Sequence, residues 1–281
     1  MDNYIEQFVN TSGYASSTSD FYKRILDWIC QDVGDLEGLT ASRLRTWLDS
    51  RHWSNSTQWS ALCVVRAFLR WRYGAGHPAL TLRIKRLESP PQRVLKLDQV
   101  KCLLWSFDTS GAKGRRDLAM CALLLDSGLR AAEVCRLEMS CLDLIERRLQ
   151  VRVKGGRIQE AVYSEYTASC LLRWFGDRES LVKLGVVSVF VGVGGSLPGR
   201  GMTTGGLRAE MRKWAVRAGL KALSPHDLRR TFATQSIRLG APSRIVQIAG
   251  RWKDLAMVER YTRSLEASDF DRWFPVAAAM A

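Results

Sequence analysis

Residues 224–229 read Ser-Pro-His-Asp-Leu-Arg, and this stretch predicts the start of a helix that carries two basic side chains on its first turn. The serine suits the N-cap, the proline suits the first helical position, and the aspartate completes a capping box. His226 and Arg229 are three residues apart, so both project from one face of that turn, where the helix dipole also favours an anion. The stretch is typical of a phosphate-binding helix start. The alternative is a plain cap with a structural histidine and a surface arginine.

A second helix junction lies upstream, where residues 126–133 read Asp-Ser-Gly-Leu-Arg-Ala-Ala-Glu. A strongly apolar helix, predicted from Asp117 to Leu125, ends at the glycine, and another helix begins after it. This leaves Arg130 at the junction with Glu133 one turn further on. A carboxylate at that spacing can hold the arginine, although an Arg-Glu pair on a helix is usually a weak surface ion pair.

A β-hairpin is predicted between Leu149 and Tyr163, in the middle of an otherwise helical region. The sequence runs Val-Arg-Val, then Lys-Gly-Gly-Arg, and later Ala-Val-Tyr, so glycines fall at the turn and Lys154 lies beside them. A further β-rich run spans Val186–Val193, and Asp98 is predicted to cap an early helix. We therefore expect a mainly α fold with a small β-sheet, of the α+β class.

Near the C-terminus, Gly-Arg-Trp at residues 250–252 precedes a tyrosine that has basic residues on both sides. Together these motifs resemble the catalytic signature of the tyrosine recombinase, or lambda-integrase, family, and they are Xer-like in size and spacing. In that family Arg, Lys, His-x-x-Arg, His or Trp, and Tyr follow in this order. The matching residues of this chain are Arg130, Lys154, His226, Arg229, Trp252 and Tyr261, with Glu133 in support. The family usually has Gly directly before its His or Trp, whereas Arg251 stands there in this chain and is a candidate to share the role of Trp252.

The resemblance implies a covalent mechanism. Tyr261 would attack a DNA phosphodiester to form a 3′-phosphotyrosine bond, and Tyr163 and Tyr166 fit packing roles better. Arg130 and Arg229 would stabilise the charge that develops on the phosphate oxygens, each with two planar hydrogen bonds. Lys154 would protonate the leaving 5′-oxygen, while the remaining two members of the signature would donate further hydrogen bonds. Because the covalent intermediate keeps the phosphodiester energy, the reaction is expected to need no cofactor and no metal.

The resemblance also implies partners. Four protomers would bind two double-stranded DNA core sites and exchange strands through a Holliday junction, in integration, excision or resolution of DNA elements. An accessory protein or a second recombinase is left open, as is the target sequence. The alternatives are a DNA-relaxing enzyme like the type IB topoisomerases, and a catalytically silent DNA-binding protein of the same fold.

The composition agrees with a DNA partner. The chain has 281 residues, 42 of them Lys or Arg, and a formal charge of +14 that is spread along the sequence. A distributed positive charge favours binding to a polyanion. The seven cysteines form an odd set without a C-x-x-C pair, and the three histidines lie apart from them, so reduced thiols and no metal site are expected. No stretch is apolar enough for a membrane span, and we expect a cytoplasmic, nucleoid-associated protein.

Two domains are expected. Residues 1–86 form a bundle of four short helices that resembles the family's core-binding, SAM-like domain in size, helicity and position, and residues 87–95 form a proline-containing linker. Residues 96–281 form the catalytic domain, and its tail helix at Leu265–Phe274 packs on its own domain or on a neighbouring protomer. The predicted DNA contacts of the first domain are Arg66, Arg70, Arg72, Arg83, Lys85 and Arg86.

Overall fold

A computed structural model of the chain describes residues 2–87, 93–153, 156–195, 197–262 and 265. The chain divides into two compact units, Met1–Pro90 and Pro91–Ala281. In the part of the chain that is described, no helix combines the length and the apolar character that a membrane crossing requires.

The first unit is a small helical bundle. Its helices are α1 (Asp2–Thr11), α2 (Ser16–Val33), α3 (Ala41–Ser50) and α4 (Asn55–Tyr73), followed by a short 3₁₀ turn. The hydroxyls of Thr40 and Ser54 accept hydrogen bonds from the third backbone N–H groups of α3 and α4, so polar caps fix where these helices begin. The predicted bundle of four helices is confirmed.

The second unit is mainly helical with one small sheet, as predicted. Its helices are α5 (Leu97–Trp105), α6 (Ala112–Ser127), α7 (Ala131–Cys135), α8 (Glu165–Leu181), α9 (Thr204–Arg217), α10 (Pro225–Arg238), α11 (Ser243–Ala249) and α12 (Leu255–Thr262). The antiparallel strands β1 (Leu142–Asp143), β2 (Arg148–Arg152) and β3 (Ile158–Val162) lie in the order β1-β2-β3. The hairpin of β2 and β3 is the predicted one, and Val151 pairs with Gln159 near its turn.

The α5 helix begins before the predicted cap. Asp98 lies inside the first turn, because α5 starts at Leu97 and Lys96 occupies the N-cap position. The Gln99 side chain accepts a hydrogen bond from the backbone N–H of Lys96 at 3.1 Å, which satisfies a donor that the helix leaves free. Asp98 then acts through the helix dipole rather than as a cap.

The predicted β-rich run Val186–Val193 lies outside the three-stranded sheet. Ser188, Val191 and Gly192 each make only an isolated bridge. Side chains of α8 take carbonyls of this segment: Trp174 donates to Val189 O at 2.9 Å, and Arg178 donates to Ser188 O at 2.8 Å. Because these carbonyls are bound by side chains, they do not continue a β ladder.

The last residues of the predicted linker pack on the second unit. Leu95 is fully buried in the core of that unit, where its N–H donates to Thr231 and its carbonyl accepts from Gln235, both on α10. Burial of an apolar side chain and pairing of both backbone groups hold this segment in place. Of the predicted linker, residues 88–92 lie outside the described residues.

Helix α6 forms the centre of the second unit and places the functional residues. Most of its length is buried, including Leu123 and Leu124, and it ends at Gly128 in the left-handed conformation, with φ of +57°. A separate apolar cluster joins α10, α11 and α12 through Phe232, Val246, Trp252, Val258 and Tyr261. The end of α6 and this cluster frame the candidate site.

Candidate active site

The start of α10 has the predicted capping box. Ser224 Oγ accepts a hydrogen bond from the N–H of Asp227 at 3.3 Å, and the N–H of Ser224 donates to Asp227 Oδ2 at 2.8 Å. The proline at the first helical position is buried. This rigid start fixes the directions in which His226 and Arg229 leave the helix.

Arg229 is almost completely buried, and its guanidinium connects three parts of the site. It donates to the carbonyl of Gly128 at the end of α6 and, at 2.6 Å, to the carbonyl of Gly250 after α11. The same group lies over the Trp252 ring, 4.5 Å from the ring centre. Burial, together with the nearby charges of Arg130 and Arg251, lowers the pKa of Arg229 to about 10. Such a group favours an anion beside it.

Arg130 lies at the N-cap of α7, and its side chain remains about half exposed. Its Nη1 donates to Glu133 Oε1 at 2.6 Å, and its backbone N–H donates to Glu133 Oε2 at 2.8 Å. Both oxygens of one carboxylate therefore hold the arginine, while its exposed face stays free to meet a ligand.

Gly128 provides the sharp turn that brings Arg130 to this position. A Cβ built at Gly128 would lie 2.5 Å from the Phe232 ring, in a left-handed conformation that side chains rarely adopt. The turn therefore requires glycine both for its backbone and for the close approach of α10.

Tyr261 lies between the two other aromatic members of the site. Its ring centre is 5.7 Å from that of His226 and 5.2 Å from that of Trp252. Only 7% of the residue is exposed, and its carbonyl accepts a hydrogen bond from Thr234 Oγ1 at 2.6 Å. The nucleophile candidate is thus held against α10 by contacts within its own chain.

Burial lowers the pKa of His226, and the charges of Arg230 and Arg229 lower it further. The imidazole is therefore neutral at pH 7, with one nitrogen that donates a hydrogen bond and one that accepts. The indole N–H of Trp252 is buried and has no acceptor among the described residues. Both rings offer donors to a group that enters the site.

Arg251 is placed in the interior rather than toward solvent. Its backbone has φ of +56°, and its side chain is 1% exposed. Its guanidinium lies beside Glu133, with Nη2 and Oε2 separated by 3.6 Å, and does not take the place of Trp252 next to Tyr261.

Sequence reasoning missed two residues that hold the site. Thr234 anchors the backbone of Tyr261, and Gln247 exchanges hydrogen bonds with the backbone of Trp252 at 3.1 and 3.2 Å. Neither position carries a signal in the sequence alone, because a helical Thr or Gln usually faces solvent.

Two predicted features lie outside the described residues. These are Lys154, at the turn between β2 and β3, and nearly all of the predicted tail helix at Leu265–Phe274. Tyr163, which flanks the hairpin, is buried and donates to Asp143 O at 3.0 Å, and burial raises its pKa to about 12. These contacts make it a packing residue, in line with the prediction.

The basic residues proposed to contact DNA from the first unit fall into two places. Arg66 and Arg70 are four residues apart on α4. Burial lowers the pKa of Arg66, and the charges of Arg83 and Arg70 lower it further, so these three arginines lie close together. Arg86 is nearby, with its guanidinium over the Trp59 ring at 4.7 Å. Arg72, in contrast, stacks on Tyr4 of α1, 4.0 Å from the ring centre. Lys85 is exposed beyond the 3₁₀ turn.

The site therefore combines guanidinium, imidazole and indole donors around one tyrosine. Glu133 is the carboxylate that pairs with Arg130 and Arg251, whereas Arg229 bonds to neutral carbonyls. This leaves an excess of positive charge in a largely buried place, which suits an oxyanion that develops negative charge during a reaction.

Comparisons with known proteins agree with this chemistry. Residues 93–268 match the model of the phage integrase family. The chain is 28% identical to the tyrosine recombinase XerD of Vibrio cholerae over 92% of this chain and 90% of that protein. It is 30% identical to the tyrosine recombinase XerC of Alcanivorax borkumensis over 84% of this chain and 76% of that protein.

A solved structure extends the likeness to the fold. The Tn1549 transposon integrase, in complex with transposon right end DNA, matches with a TM-score of 0.78 at 15% identity, over 99% of this chain and 98% of that one. The chain belongs to the phage integrase family and is a tyrosine recombinase of the lambda-integrase type.

Proposed function

We propose that this enzyme carries out site-specific DNA recombination with Tyr261 as its nucleophile, through a 3′-phosphotyrosine bond. The observation that carries the assignment of residues is that His226 and Trp252 both contact Tyr261, while Arg229 lies over Trp252 and the charge of Arg130 acts on both Arg229 and His226. Ring centres within 6 Å and a guanidinium stacked on Trp252 bring these groups into one site.

Arg130 and Arg229 stabilise the transition state in this proposal. Attack on a phosphodiester builds negative charge on the non-bridging oxygens, and donors already fixed in position lower the barrier without reorganising. Glu133 fixes Arg130 with two hydrogen bonds, and the carbonyls of Gly128 and Gly250 fix Arg229. Each guanidinium thus uses some of its N–H donors to bind protein groups, and its other N–H donors can bind phosphate.

His226 and Lys154 are proposed to transfer protons during strand cleavage. The neutral imidazole of His226, close to the Tyr261 ring, is suited to help remove the phenol proton during attack. Lys154 is proposed as the general acid that protonates the leaving 5′-oxygen, on the basis of its place in the sequence motif. Trp252 adds its buried indole N–H, which has no acceptor among the described residues, as a donor to the phosphate.

The first unit is proposed to be the core-binding domain, with residues 1–86 as its extent. Arg66, Arg70, Arg83 and Arg86 would contact phosphates of the duplex, and the exposed Lys85 would join them. Arg72 is also a candidate; its guanidinium lies over the Tyr4 ring, as that of Arg86 lies over the Trp59 ring. Phosphate contacts of this kind position a protein on DNA without reading its sequence.

Recombination further requires two DNA sites in one assembly. We propose that four protomers bind two core sites in the cytoplasm, at the nucleoid, and exchange strands through a Holliday junction. A neighbouring protomer, a second recombinase or an accessory protein would complete that assembly.

The test uses a supercoiled plasmid with two copies of a site taken from the DNA that flanks the gene. The expected result is recombinant circles and Holliday junctions, which Tyr261→Phe does not produce and Tyr166→Phe does. Relaxation of a plasmid that lacks the site, without recombinants, would instead favour a topoisomerase-like enzyme. Specific binding without any strand cleavage would indicate a silent DNA-binding protein.

A further inference from the structure

Arg251 occupies a backbone conformation that arginine rarely adopts. Its φ is +56°, in the left-handed region that favours glycine. Residues are kept in such sparsely populated regions where their surroundings hold them, and such residues are found preferentially at functional sites. Contacts of the Arg251 side chain must therefore stabilise this backbone conformation.

The contacts of Arg251 are all with the interior. Nη1 donates to Ala249 O at 2.7 Å, at the end of α11, and Nη2 donates to Ser127 O at 3.1 Å, at the end of α6. Arg229 bonds the carbonyls of the next residue on each side, Gly128 and Gly250. The guanidinium groups of Arg251 and Arg229 thus connect the end of α6 with the end of α11, and at each helix end they bind the carbonyls of adjacent residues.

Arg251 also reaches the carboxylate that holds Arg130. Its Nη2 is 3.6 Å from Glu133 Oε2, and Glu133 Oε1 is bonded to Arg130 at 2.6 Å. Glu133 is itself only 7% exposed at its side chain. A buried carboxylate needs a compensating positive charge. Arg130 and Arg251, which are far apart in the sequence, supply this charge to Glu133.

We propose that Arg251 is a positioning residue, which holds the Glu133 carboxylate ionised and in place so that Glu133 directs Arg130 toward the scissile phosphate. With 1% of its side chain exposed, Arg251 does not itself contact DNA. The inference rests on the proposed function, because it assumes that Arg130 binds the phosphate that Tyr261 attacks.

The charges around Glu133 predict how the site responds to pH. Burial alone would raise the pKa of Glu133, but the hydrogen bonds from Arg130 and the charge of Arg251 outweigh burial and lower it. Arg229 is a further positive group that interacts with Glu133, and the charge of Arg130 also acts on His226. Loss of Arg251 therefore raises the pKa of Glu133, and protonated Glu133 no longer anchors Arg130 by an ion pair.

The test compares Arg251→Gly with Arg147→Gly in the full chain. Glycine relieves the left-handed backbone in both variants, since Arg147 also has a positive φ of +51° but is exposed. The rate of covalent adduct formation on nicked DNA is measured at saturating DNA across the pH range, beside DNA affinity and melting temperature. In Arg251→Gly we expect a rate of adduct formation at least tenfold lower and a DNA affinity within about threefold of wild type. The acid limb of its pH–rate profile, where the rate falls as the pH is lowered, should move to higher pH. Arg147→Gly is expected to behave as wild type.

Two further variants separate positioning from simple support of the fold. In the Glu133→Gln background, removal of Arg251 is expected to cost little more, because the carboxylate on which it acts is gone. Arg251→Lys keeps the charge, so its acid limb is expected to stay near that of the wild type even if it folds less stably. Three results would each overturn the inference. The first is a wild-type rate and acid limb in Arg251→Gly, and the second is losses of rate that multiply in the double variant. The third is an acid limb in Arg251→Lys that shifts as it does in Arg251→Gly. Failure of the proposed function looks different, because the wild type itself would then form no adduct at Tyr261.

Discussion

The guanidinium of Arg229 lies over the ring of Trp252, 4.5 Å from its centre, and bonds to backbone carbonyls on both sides of the site. An arginine held in this way has little freedom left to lose when DNA binds. Donors arranged before the reaction are worth more than donors that must move into place. The stacking of Arg229 on Trp252 therefore makes stabilisation of the phosphate charge depend on how α10 packs against the turn before α12.

Arg229→Lys tests that link. Lysine keeps the charge but cannot bond both carbonyls and stack on Trp252 at once, so the rate of covalent adduct formation should fall by roughly a hundredfold. Single-turnover cleavage at saturating DNA measures the rate. Arg173→Lys, on the exposed side of α8, serves as the matched control. Equal rates in the two variants would contradict the assigned role.

Gly128→Ala tests the turn that presents Arg130. The added Cβ would lie 2.5 Å from the Phe232 ring, at a φ of +57°. Backbone strain and the clash together should destabilise the chain by about 1–3 kcal/mol and should also lower cleavage.

Gly219→Ala is the control for backbone strain alone. Its φ is +64°, but a Cβ there meets nothing within 4 Å. It should cost about 1 kcal/mol and leave cleavage unchanged. Denaturant unfolding and cleavage assays compare the two variants. If Gly128→Ala were no worse than Gly219→Ala, the close approach of Phe232 would not matter.

The sequence predicts part of this site because Arg130, His226 and Arg229 lie at or near helix starts. The capping box at Ser224 fixes where α10 begins, and the glycine before Arg130 fixes where α6 ends. The resemblance to the family signature then implies which residues meet. The inward direction of Arg251 is not predictable in this way, since it depends on a left-handed backbone and on carbonyls far away in the sequence.

Two details of the fold could not be predicted for a similar reason. The Val186–Val193 run has strand-like composition, but long-range side chains such as Trp174 and Arg178 take its carbonyls. At α5, the Gln99 side chain accepts a hydrogen bond from the backbone N–H of Lys96, and the helix starts ahead of Asp98. Local patterns do not reveal which backbone groups a distant side chain will satisfy.

His226 should titrate below its ordinary value of 6.5. Burial and the nearby arginines disfavour the charged imidazole, so the stability that depends on the neutral form is present above pH 6.5 and is lost as the pH falls through the lowered pKa. The chain has three histidines, so an NMR titration is simple to assign with His226→Asn. A duplex bound in the site should raise this pKa, since a phosphate favours the cation. A pKa at or above 6.5 without DNA would contradict the described environment.

The basic face of α4 should contribute to DNA binding through phosphates. Arg66→Gln and Arg70→Gln should each weaken binding to all sequences alike and reduce the slope of log affinity against log salt by about 1. Arg45→Gln is the control, because Arg45 pairs with Asp49 on α3 at 2.8 Å. Fluorescence anisotropy at several salt concentrations gives the slopes. Unchanged slopes in the α4 variants would place the DNA elsewhere.

The central claim is that Tyr261 makes the covalent bond to DNA, and a suicide-substrate assay tests it most directly. Wild type, Tyr261→Phe and Tyr166→Phe are incubated with nicked site DNA without added metal, and protein–DNA adducts are resolved in denaturant. The account predicts adducts of equal yield with wild type and Tyr166→Phe, none with Tyr261→Phe, and unchanged DNA affinity in all three. An adduct that persists in Tyr261→Phe would contradict it.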